Sequence, residues 1–339
     1  MPEGKTMKAI ELHAPGGLDH LRLVDRPDPG APGAGQIRVR LHASSLNYHD
    51  YGVVTGSAPS ADRRIPMSDG AGIIEAVGDG VTQFKPGDRV VSCFFPTWLD
   101  GPPTVSDFSS VPGDGVDGYA REVAVCSEHA FTLAPRDYTH EQAATLTTAG
   151  LTAWRALVVN GKLKAGDVVL VLGTGGVSIF ALQIARAMGA TVIVTSSSDQ
   201  KLERARSLGA DITINYRQTP DWGKRVYEMC GGADHVIEVG GPGTLPQSIA
   251  AVRVNGHIAL IGVLTGKAGD VPTAFLMAKQ ARLQGLIVGS RREQMEFVRA
   301  IEAIKLVPVV DRSFDLPQIA DAFRMQESNA HFGKICLSF

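Results

Sequence analysis

The stretch GDVVLVLGTGGVSIFALQIARAMGATVIVTSSSDQK occupies residues 166–201. An apolar run at 168–172 leads into the glycine-rich turn GTGGVS at 173–178. Apolar residues then recur at helical spacing, and a second β-branched run follows at 191–195. Parallel strands need a crossover helix between them, and a continuous Val/Ile/Leu run is typical of a strand that is buried on both faces. The stretch therefore predicts one βαβ unit of a parallel sheet.

The glycine turn is a candidate phosphate-binding site. Its glycines allow a tight turn and a close backbone approach, and the helix that follows directs free N–H groups and a partial positive charge to the same place. We predict that Gly175, Gly176 and Val177 bind the pyrophosphate of a dinucleotide, while Gly173 serves the turn. Glycine-rich turns also occur in ordinary loops, and the GxGxxG pattern ends here in Ser178. The strand before the turn and the helix after it favour the nucleotide.

The residues after the second strand indicate which dinucleotide binds. An NAD site usually has a carboxylate there, which would repel a 2′-phosphate. The hydroxyls of Ser196 and Ser197 and the cation of Lys201 suit that phosphate, so we predict NADP(H). Asp199 is the counterargument, but it lies beyond the serines and could equally cap the next helix. In the alternative interpretation, Lys201 and Arg204 form only a solvated helix face.

Length and composition set the broad class of protein. A chain of 339 residues is long enough for two domains, and 44% apolar with 20% charged residues is typical of globular proteins. The net charge of −2 gives no reason to expect nucleic acid or a membrane surface as a partner. The four cysteines form no zinc or disulfide pattern. With no long apolar run and no signal-peptide core, we expect a cytoplasmic location.

Two segments before residue 140 are candidates for the substrate site. The opening, 7–45, alternates in the manner of strands, and 70–91 reads as two further strands joined by glycine turns. Between them, SSLNYHDYGVVTG at 44–56 is too polar for a core strand and too aromatic for an ordinary loop. The irregular segment 95–118 follows. It either forms a wall of a substrate pocket or packs on the surface. The apolar contacts in the first case would be Phe95, Trp98 and Phe108.

From about residue 140 the pattern becomes one of alternating helices and strands. Such alternation predicts a doubly wound parallel sheet. The strands are expected at 168–172, 191–195, 211–216, 235–240, 257–263 and 283–290, with helices at 140–159, 221–230 and 244–252. The tail predicts helices at 293–305 and 317–326 and a closing strand, GKICLSF.

Several short motifs together resemble the medium-chain dehydrogenase/reductase superfamily over nearly the whole chain. They are GDRV at 87–90, DGYARE at 117–122, AGLTAW at 149–154, SLGAD at 207–211, INY at 214–216 and HFGKICLSF at 331–339. Within the superfamily, LNYHD at 46–50 and MSDGAG at 67–72 resemble the zinc-free quinone oxidoreductase group.

The resemblance implies an α/β fold of two domains. A GroES-like, β-rich catalytic domain would comprise 1–140, completed by 289–339, and a Rossmann NADP-binding domain would comprise 141–288. The cofactor would lie between the domains, the substrate would be a small molecule, and the enzyme would form a homodimer.

The resemblance also bears on zinc. The positions at which zinc alcohol dehydrogenases of the superfamily hold their catalytic metal are Asn47, Ser68 and Thr148 here, and none of these is a good zinc ligand. Asp69 keeps the carboxylate that follows the metal-binding histidine. We therefore expect no metal. Without a Lewis acid, alcohol oxidation is hard, whereas a quinone or conjugated enone accepts hydride readily.

The leading hypothesis is an NADPH-dependent, zinc-independent reductase of quinones or α,β-unsaturated carbonyl compounds. One alternative is a zinc-free alcohol dehydrogenase or carbonyl reductase. A third is a non-enzymatic NADPH-binding sensor or structural protein, because a fold does not fix a function.

The family pattern implies further site residues. Tyr216 would contact the adenosine phosphate, and Asn329 and Lys334 would reach the cofactor from the tail, although Lys334 could equally be a surface charge. The residues implied near the nicotinamide are Asn47, Thr152, Gly262, Val263, Leu264, Val288 and Ser290. For the proton donor, Tyr48 and Tyr51 are candidates, with His49, Asp50 and solvent as alternatives.

Overall fold

The chain folds into two compact units. A computed structural model describes residues 5–57, 60–105 and 107–339. The first unit comprises residues 1–151 and 289–339, and the second comprises residues 152–288. Within the described ranges, no helix combines the length and apolar character needed to cross a bilayer.

In the part of the first unit before residue 151, the regular secondary structure consists mainly of β-strands. Its strands are β1 (Thr6–Leu12), β2 (Leu21–Pro27), β3 (Gln36–Ser45), β4 (Ala71–Val77), β5 (Arg89–Ser92), β6 (Val123–Ser127) and β7 (Phe131–Leu133). Its helices are α1 (Tyr48–Val54) and α2 (His140–Ala144), with short 3₁₀ turns at Leu18–His20 and Glu128–Ala130 and a π-helical turn at Leu146–Gly150.

The second unit begins within a short helix and then alternates strand and helix. After α3 (Leu151–Trp154) and a π-helical segment, Arg155–Asn160, come β8 (Val168–Leu172), α4 (Gly176–Ala187), β9 (Thr191–Ser196), α5 (Asp199–Ser207), β10 (Ile212–Asn215) and α6 (Trp222–Cys230). The remaining elements are β11 (Ala233–Glu238), α7 (Leu245–Ala251), β12 (Val252–Leu260), α8 (Thr273–Ala278) and β13 (Arg282–Gly285). The tail returns to the first unit with α9 (Arg291–Ala303), β14 (Val310–Asp315), a 3₁₀ turn at Leu316–Gln318, α10 (Ile319–Glu327) and β15 (Lys334–Ser338).

The main sheet of the first unit has the order β14-β15-β3-β4-β5-β7, with β6 also paired to β3. Most of its pairs are antiparallel, and only β14 and β15 run parallel. On β3, the apolar residues Ile37, Val39 and Leu41 are buried in a core with Phe131. The tail strand β15 pairs with β3, so the first and last parts of the chain share one sheet.

The boundary between the units lies at 151/152 rather than at the expected 140/141. Helix α2 packs on β3, β4 and β15 of the first sheet. Its Ala143 and Ala144 are fully buried against Ala43 and Ala71. Small side chains allow this close packing, so the residues from 141 to 151 belong to the β-rich unit. Helical spacing at 140–159 gives no information on which sheet the helix covers.

The second unit is a six-stranded sheet of order β10-β9-β8-β11-β12-β13, and every pair in it is parallel. The predicted α/β fold, with a GroES-like unit and a doubly wound Rossmann sheet, is therefore confirmed. The strand expected at 283–290 is wrong in its second half, because β13 ends at Gly285. Val288 has φ 46°, and a β-branched residue in this left-handed region cannot continue a strand.

Candidate active and cofactor-binding sites

The glycine turn joins β8 to α4 as the sequence predicts. Gly173 has φ 73°, a conformation that favours glycine, and its N–H donates to the Thr195 carbonyl at 2.9 Å. Gly175 is the N-cap of α4, and Gly176 and Val177 form the first turn of that helix. No atom lies within 4 Å of where a Cβ would stand on Gly173 or Gly175. This open space beside free helix N–H groups fits a pyrophosphate.

The carboxyl ends of β9 and β10 bring the predicted 2′-phosphate residues to one place. Ser196 ends β9, and its carbonyl accepts a hydrogen bond from the N–H of Tyr216 at 3.1 Å. Ser196 is buried and Ser197 is half-buried, while Tyr216 is 41% exposed. Lys201 lies in the first turn of α5 and donates its backbone N–H to the capping Ser198 hydroxyl. These residues stay predicted phosphate contacts.

Asp199, the counterargument to NADP(H), is held by neighbouring amides. Its Oδ1 accepts from Asn215 Nδ2 at 2.8 Å, and its Oδ2 accepts from Gln218 Nε2 at 3.2 Å. Both carboxylate oxygens therefore have protein donors, so the carboxylate has less capacity to accept from a ribose hydroxyl.

A buried carboxylate that sequence reasoning missed shapes the neighbouring loops. Glu238 ends β11 and is fully buried. Its Oε1 accepts from the N–H groups of Gly240 and Gly241 at 2.7 and 3.0 Å and from Thr244 Oγ1 at 2.5 Å, while Ser248 donates to Oε2. Four donors satisfy the charge and fix the backbone at this edge of the sheet. The one sequence signal that could have indicated this buried carboxylate is a Glu at the end of an apolar strand.

The predicted nicotinamide residues of the second unit differ in exposure. Val263 and Leu264 follow β12 and are 51% and 53% exposed, and the N–H of the preceding Gly262 donates to the Glu238 carbonyl. Thr152 and Val288, in contrast, are buried. The strained Val288 backbone is held by the guanidinium of Arg155, which donates to the carbonyls of Ile287 and Val288. A contact of any of these residues with the nicotinamide stays a prediction.

In the first unit, Asn47 begins α1 with a capping box. Its backbone N–H and its Nδ2 each donate to Asp50 Oδ2 at 3.0 Å. The other oxygen of Asp50 accepts from the Ser68 N–H at 2.7 Å. The polar segment 44–56 thus contains helix α1, and the buried Asp50 in its first turn hydrogen-bonds both to Asn47 and to the segment at Ser68.

Beside this cap lies a buried pair of opposite charges. The Lys334 ammonium, 3% exposed, donates to Asn47 Oδ1 at 2.6 Å and to the Leu46 carbonyl, and it lies 3.9 Å from Asp69 Oδ2. Asp69 is fully buried and accepts from Ser45 Oγ at 2.5 Å and from Thr148 Oγ1 at 2.6 Å. The alternative that Lys334 is a surface charge is therefore wrong.

Burial shifts the titration of both partners. Burial raises the pKa of Asp69 to about 6, against the opposing effects of Lys334 and of the two hydroxyl donors. Burial likewise lowers the pKa of Lys334, while the nearby Asp69 charge opposes that change. Each ion therefore depends on the other to stay charged.

The three superfamily zinc positions belong to this same network. Asn47 Nδ2 lies 3.5 Å from Ser68 Oγ, and Thr148 donates its hydroxyl to Asp69. At the three positions a metal would therefore find one amide and two neutral hydroxyls. The amide oxygen of Asn47, which would have to face the metal, is already bound by the Lys334 ammonium. Among the residues that the structure describes, no cluster of His, Cys, Asp and Glu could hold a metal. The chemistry of these side chains does not fit zinc.

The two tyrosines of α1 contact the end of α10. Tyr48 donates its hydroxyl to Asn329 Oδ1 at 2.6 Å, and Tyr51 donates to Glu327 Oε1 at 2.9 Å. Burial raises the pKa of Tyr48, and the hydrogen bond to the Glu327 carboxylate raises the pKa of Tyr51. Both phenols are therefore poorer acids than a free tyrosine. Their role as proton donors stays a prediction.

His49, also on α1, has surroundings better suited to proton transfer. Its Nε2 lies 3.4 Å from Asp114 Oδ2, and its ring packs against Phe94 and Phe108 at centroid distances of 5.3 and 4.9 Å. The side chain is 21% exposed, but its Nε2 atom is itself buried and makes no hydrogen bond within the described part of the chain. Spacing in the sequence gives no sign that the segment 95–118 supplies Asp114 to α1.

The segment 95–118 contributes an aromatic cluster, apart from Ser106, which lies outside the described residues. Phe95 and Trp98 are 4% and 3% exposed, and Phe95 stacks on Phe108 with ring centroids 6.3 Å apart. Phe95 and Trp98 are thus buried, and the half-buried Phe108 packs on the His49 ring. A role of this segment as a pocket wall stays a prediction.

Two predicted cofactor contacts of the tail have structural partners in the first unit. Ser290 is the N-cap of α9: its hydroxyl accepts from the Glu293 N–H, and its own N–H donates to the Glu293 carboxylate. Asn329, with φ 54°, lies two residues after the end of α10, and its Oδ1 accepts a hydrogen bond from the Tyr48 hydroxyl. Any role of either residue at the cofactor stays a prediction.

Comparisons with known proteins agree with both units. A family model described as Alcohol dehydrogenase GroES-like domain matches residues 33–136, and one described as Zinc-binding dehydrogenase matches residues 176–305. A zinc-type alcohol dehydrogenase-like protein of Schizosaccharomyces pombe is 43% identical over 95% of this chain and 96% of its own. The quinone oxidoreductase of Homo sapiens is 28% identical over 94% of this chain and 93% of its own. A solved structure named as an NAD-dependent alcohol dehydrogenase is 35% identical with a TM-score of 0.89, covering 98% and 100% of the two chains.

The buried pair gives a stability prediction. Replacement Lys334→Met removes the cation that helps to keep the buried Asp69 charged, and we expect the free energy of unfolding to fall by about 3 kcal/mol. The double variant Lys334→Met with Asp69→Asn should lose less than the sum of the single variants, with a coupling of about 1–3 kcal/mol. Urea unfolding followed by circular dichroism measures all three.

The matched control is Lys85→Met, because the Lys85 side chain is 83% exposed and its partner Asp88 is near the surface. That change should cost less than about 0.5 kcal/mol. Equal losses for Lys334→Met and Lys85→Met, or strict additivity in the double variant, would contradict the buried pair.

Proposed function

Because this chain belongs to the medium-chain dehydrogenase/reductase superfamily and is an oxidoreductase of that superfamily, we propose that it is an NADPH-dependent, zinc-independent reductase of quinones or α,β-unsaturated carbonyl compounds. The observation that carries the proposal is the network around Lys334, which occupies the superfamily's metal-ligand positions with neutral donors and an ammonium. A homodimer in the cytoplasm is part of the same proposal.

The choice of acceptor follows from that network. Bound NADPH supplies the hydride. An isolated alcohol or ketone needs a Lewis acid or a strong donor at its oxygen, and Asn47 Nδ2 already donates to Asp50. In a quinone or enone, conjugation carries the charge of the incoming hydride to the carbonyl oxygen, so the protein has only to bind the acceptor and deliver a proton. The half-buried ring of Phe108, which packs on His49, suits a flat, conjugated acceptor.

His49 is the proton donor that the geometry favours over the tyrosines. His49 lies beside Asp114, whereas both phenols have raised pKa values and already donate their hydroxyls to Asn329 and Glu327. Asp114, whose own pKa burial raises, is close enough to orient the His49 ring and stabilise its charged form. Asp114 is thus a positioning residue, and His49 is the proposed acid.

The cofactor preference rests on the ends of β9 and β10. Ser197, Lys201 and Tyr216 lie at the strand ends where a 2′-phosphate would bind, and the carboxylate of Asp199 is already held by Asn215 and Gln218. The name of a similar solved structure, an NAD-dependent alcohol dehydrogenase, makes NAD the competing cofactor to test. That name, with that of the S. pombe relative, also favours a second candidate function, a zinc-free alcohol dehydrogenase or carbonyl reductase.

A substrate panel tests the reaction class. We expect the purified protein to oxidise NADPH with quinones or enones, and to do so at least 10-fold faster than with simple aldehydes or ketones. Its rate should survive prolonged treatment with a zinc chelator. Faster turnover of alcohols or aldehydes would favour the second candidate, and chelator-sensitive activity would overturn zinc independence. No turnover of any member despite tight NADPH binding would favour a non-enzymatic role.

The proton donor is tested by three matched variants. Replacement His49→Gln should lower kcat about 100-fold, within the usual contribution of a general acid. Tyr48→Phe and Tyr51→Phe should each lower kcat less than 3-fold, because their hydroxyls hold Asn329 and Glu327. A larger loss in either tyrosine variant than in His49→Gln would return the role to that tyrosine.

The cofactor assignment is tested with Lys201→Gln. Loss of the cation near a 2′-phosphate should weaken NADPH binding about 10-fold, or about 1.4 kcal/mol, and leave NADH binding unchanged. Lys224→Gln serves as the control, because Lys224 pairs with Glu228 on α6. Fluorescence titration of both cofactors measures the effect, and tighter binding of NADH than NADPH by the unaltered protein would overturn the assignment.

A further inference from the structure

Three polar side chains form a row across the amino-terminal half of the Rossmann sheet. In the strand register, His235 of β11 lies opposite His257 of β12, and His257 lies opposite Arg282 of β13. Residues in register on neighbouring strands point to the same face of a sheet. The sheet itself therefore places the two imidazoles and the guanidinium side by side.

This row lines a cavity of about 380 Å³. The volume is at the lower end of the range for small-molecule sites and too small for a dinucleotide. Further lining residues come from the segment before β8, among them Lys162, Lys164 and Asp167, and from β11 and β12 themselves, among them Asp234 and Arg253. All of them belong to the second unit.

His257 has an N–H group that no described residue accepts. Its Nδ1 accepts from Arg282 Nε at 2.9 Å, so in the neutral ring the proton is on Nε2. Burial, with Arg282 and His235 nearby, lowers the pKa of His257 to about 4, which keeps the ring neutral near pH 7. The side chain is 5% exposed, and within the described part of the chain its Nε2 has no hydrogen-bond partner.

His235 is the second buried imidazole with an unused nitrogen. Its Nε2 lies 3.0 Å from Asp167 Oδ2, and its Nδ1 has no partner among residues 5–57, 60–105 and 107–339. The residue is 5% exposed. Two buried imidazole nitrogens thus need a ligand or water, because an unsatisfied buried polar atom costs about 1–3 kcal/mol.

The charges around the cavity favour an anion over water alone. Asp167 is paired with Lys164, and Asp234 is paired with Arg253. In the described part of the chain, no ion pair with a carboxylate is found for the remaining cations, Lys162 and Arg282. The lining therefore has a surplus of positive charge. A metal ion is disfavoured, because the Nε2 of His257 carries a proton instead of a free lone pair.

We propose that this cavity binds a small oxyanion, the phosphate or carboxylate group of a metabolite, through His257 Nε2, His235 Nδ1, Arg282 and Lys162. A singly protonated phosphate fits both ring nitrogens, since it can accept from His257 Nε2 and its hydroxyl can either donate to or accept from His235 Nδ1. The cavity lies at the start of β8, β11 and β12, whereas the glycine turn follows the end of β8. A strand of five residues is roughly 16 Å long, so the oxyanion does not compete with the dinucleotide.

The test is a titration of the full-length protein with inorganic phosphate, with and without saturating NADP⁺, at constant ionic strength kept by NaCl. Imidazole ¹⁵N NMR reports on His235 and His257 separately, with signals assigned through His235→Gln and His257→Gln. We expect both signals to shift in a saturable way, with half-saturation at about 1 mM or below and no effect of NADP⁺. Succinate in place of phosphate distinguishes a carboxylate from a phosphate ligand.

Surface variants control for folding and for general charge. Lys162→Gln should weaken phosphate binding about 10-fold, whereas Lys224→Gln, which removes an equal charge on α6, should leave it unchanged. The absence of a saturable shift at either imidazole with both anions up to about 50 mM, or equal effects of the two lysine variants, would overturn the proposal. The cavity would then hold water.

Discussion

The first unit depends on the burial of one ammonium and one carboxylate in the same network. Removing each ion from water costs several kcal/mol, and their mutual attraction repays this only if further hydrogen bonds satisfy them. Lys334 finds its acceptors at Leu46 and Asn47, where β3 leads into α1, and Asp69 finds its donors at Ser45 and Thr148. Because Lys334 begins β15, the network joins the tail strand to β3, to the start of α1 and to the turn before α3. The contacts of Lys334 and Asp69 therefore both join these parts of the first unit and form its buried polar site.

The same network limits the chemistry. In a metal enzyme the substrate oxygen would be polarised by a dication. Here the equivalent positions are an amide and two hydroxyls: the Asn47 amide donates to Asp50 and to the Ser68 hydroxyl, and the Thr148 hydroxyl donates to Asp69. A single buried ammonium whose pKa burial lowers is a weaker source of positive charge, and it is used to hold Asn47. In the function that we propose, the acceptor itself has to stabilise the charge of the incoming hydride, and a conjugated carbonyl does so. The protein then has to supply a proton, for which His49 beside Asp114 is our proposed source.

The sequence predicted what local patterns encode and missed what arises from distant segments. Apolar runs and the glycine turn were enough to predict the βαβ unit, since strand, turn and helix are adjacent in the chain. The strand expected at 283–290 was wrong because apolar composition does not show that Arg155 holds Val288 in a left-handed conformation. The burial of Lys334, the donors around Glu238 and the approach of Asp114 to His49 were likewise hidden. Each depends on residues far apart in sequence, for which no spacing rule exists.

The two edges of the Rossmann sheet show why a parallel sheet can hold two independent polar sites. At the carboxyl edge, strands end in turns and helix N-termini, so backbone N–H groups provide the positive potential and few charged side chains are needed. The amino edge has no such dipoles pointing inward, so any positive potential there must come from side chains. Here it comes from Arg282 and Lys162, and the N–H of the neutral His257 ring adds a hydrogen-bond donor. Burying two imidazoles at the start of apolar strands costs stability unless their nitrogens are satisfied. The two imidazoles lie side by side on neighbouring strands, with a surplus of positive charge around them. A bound anion explains this arrangement better than packing does.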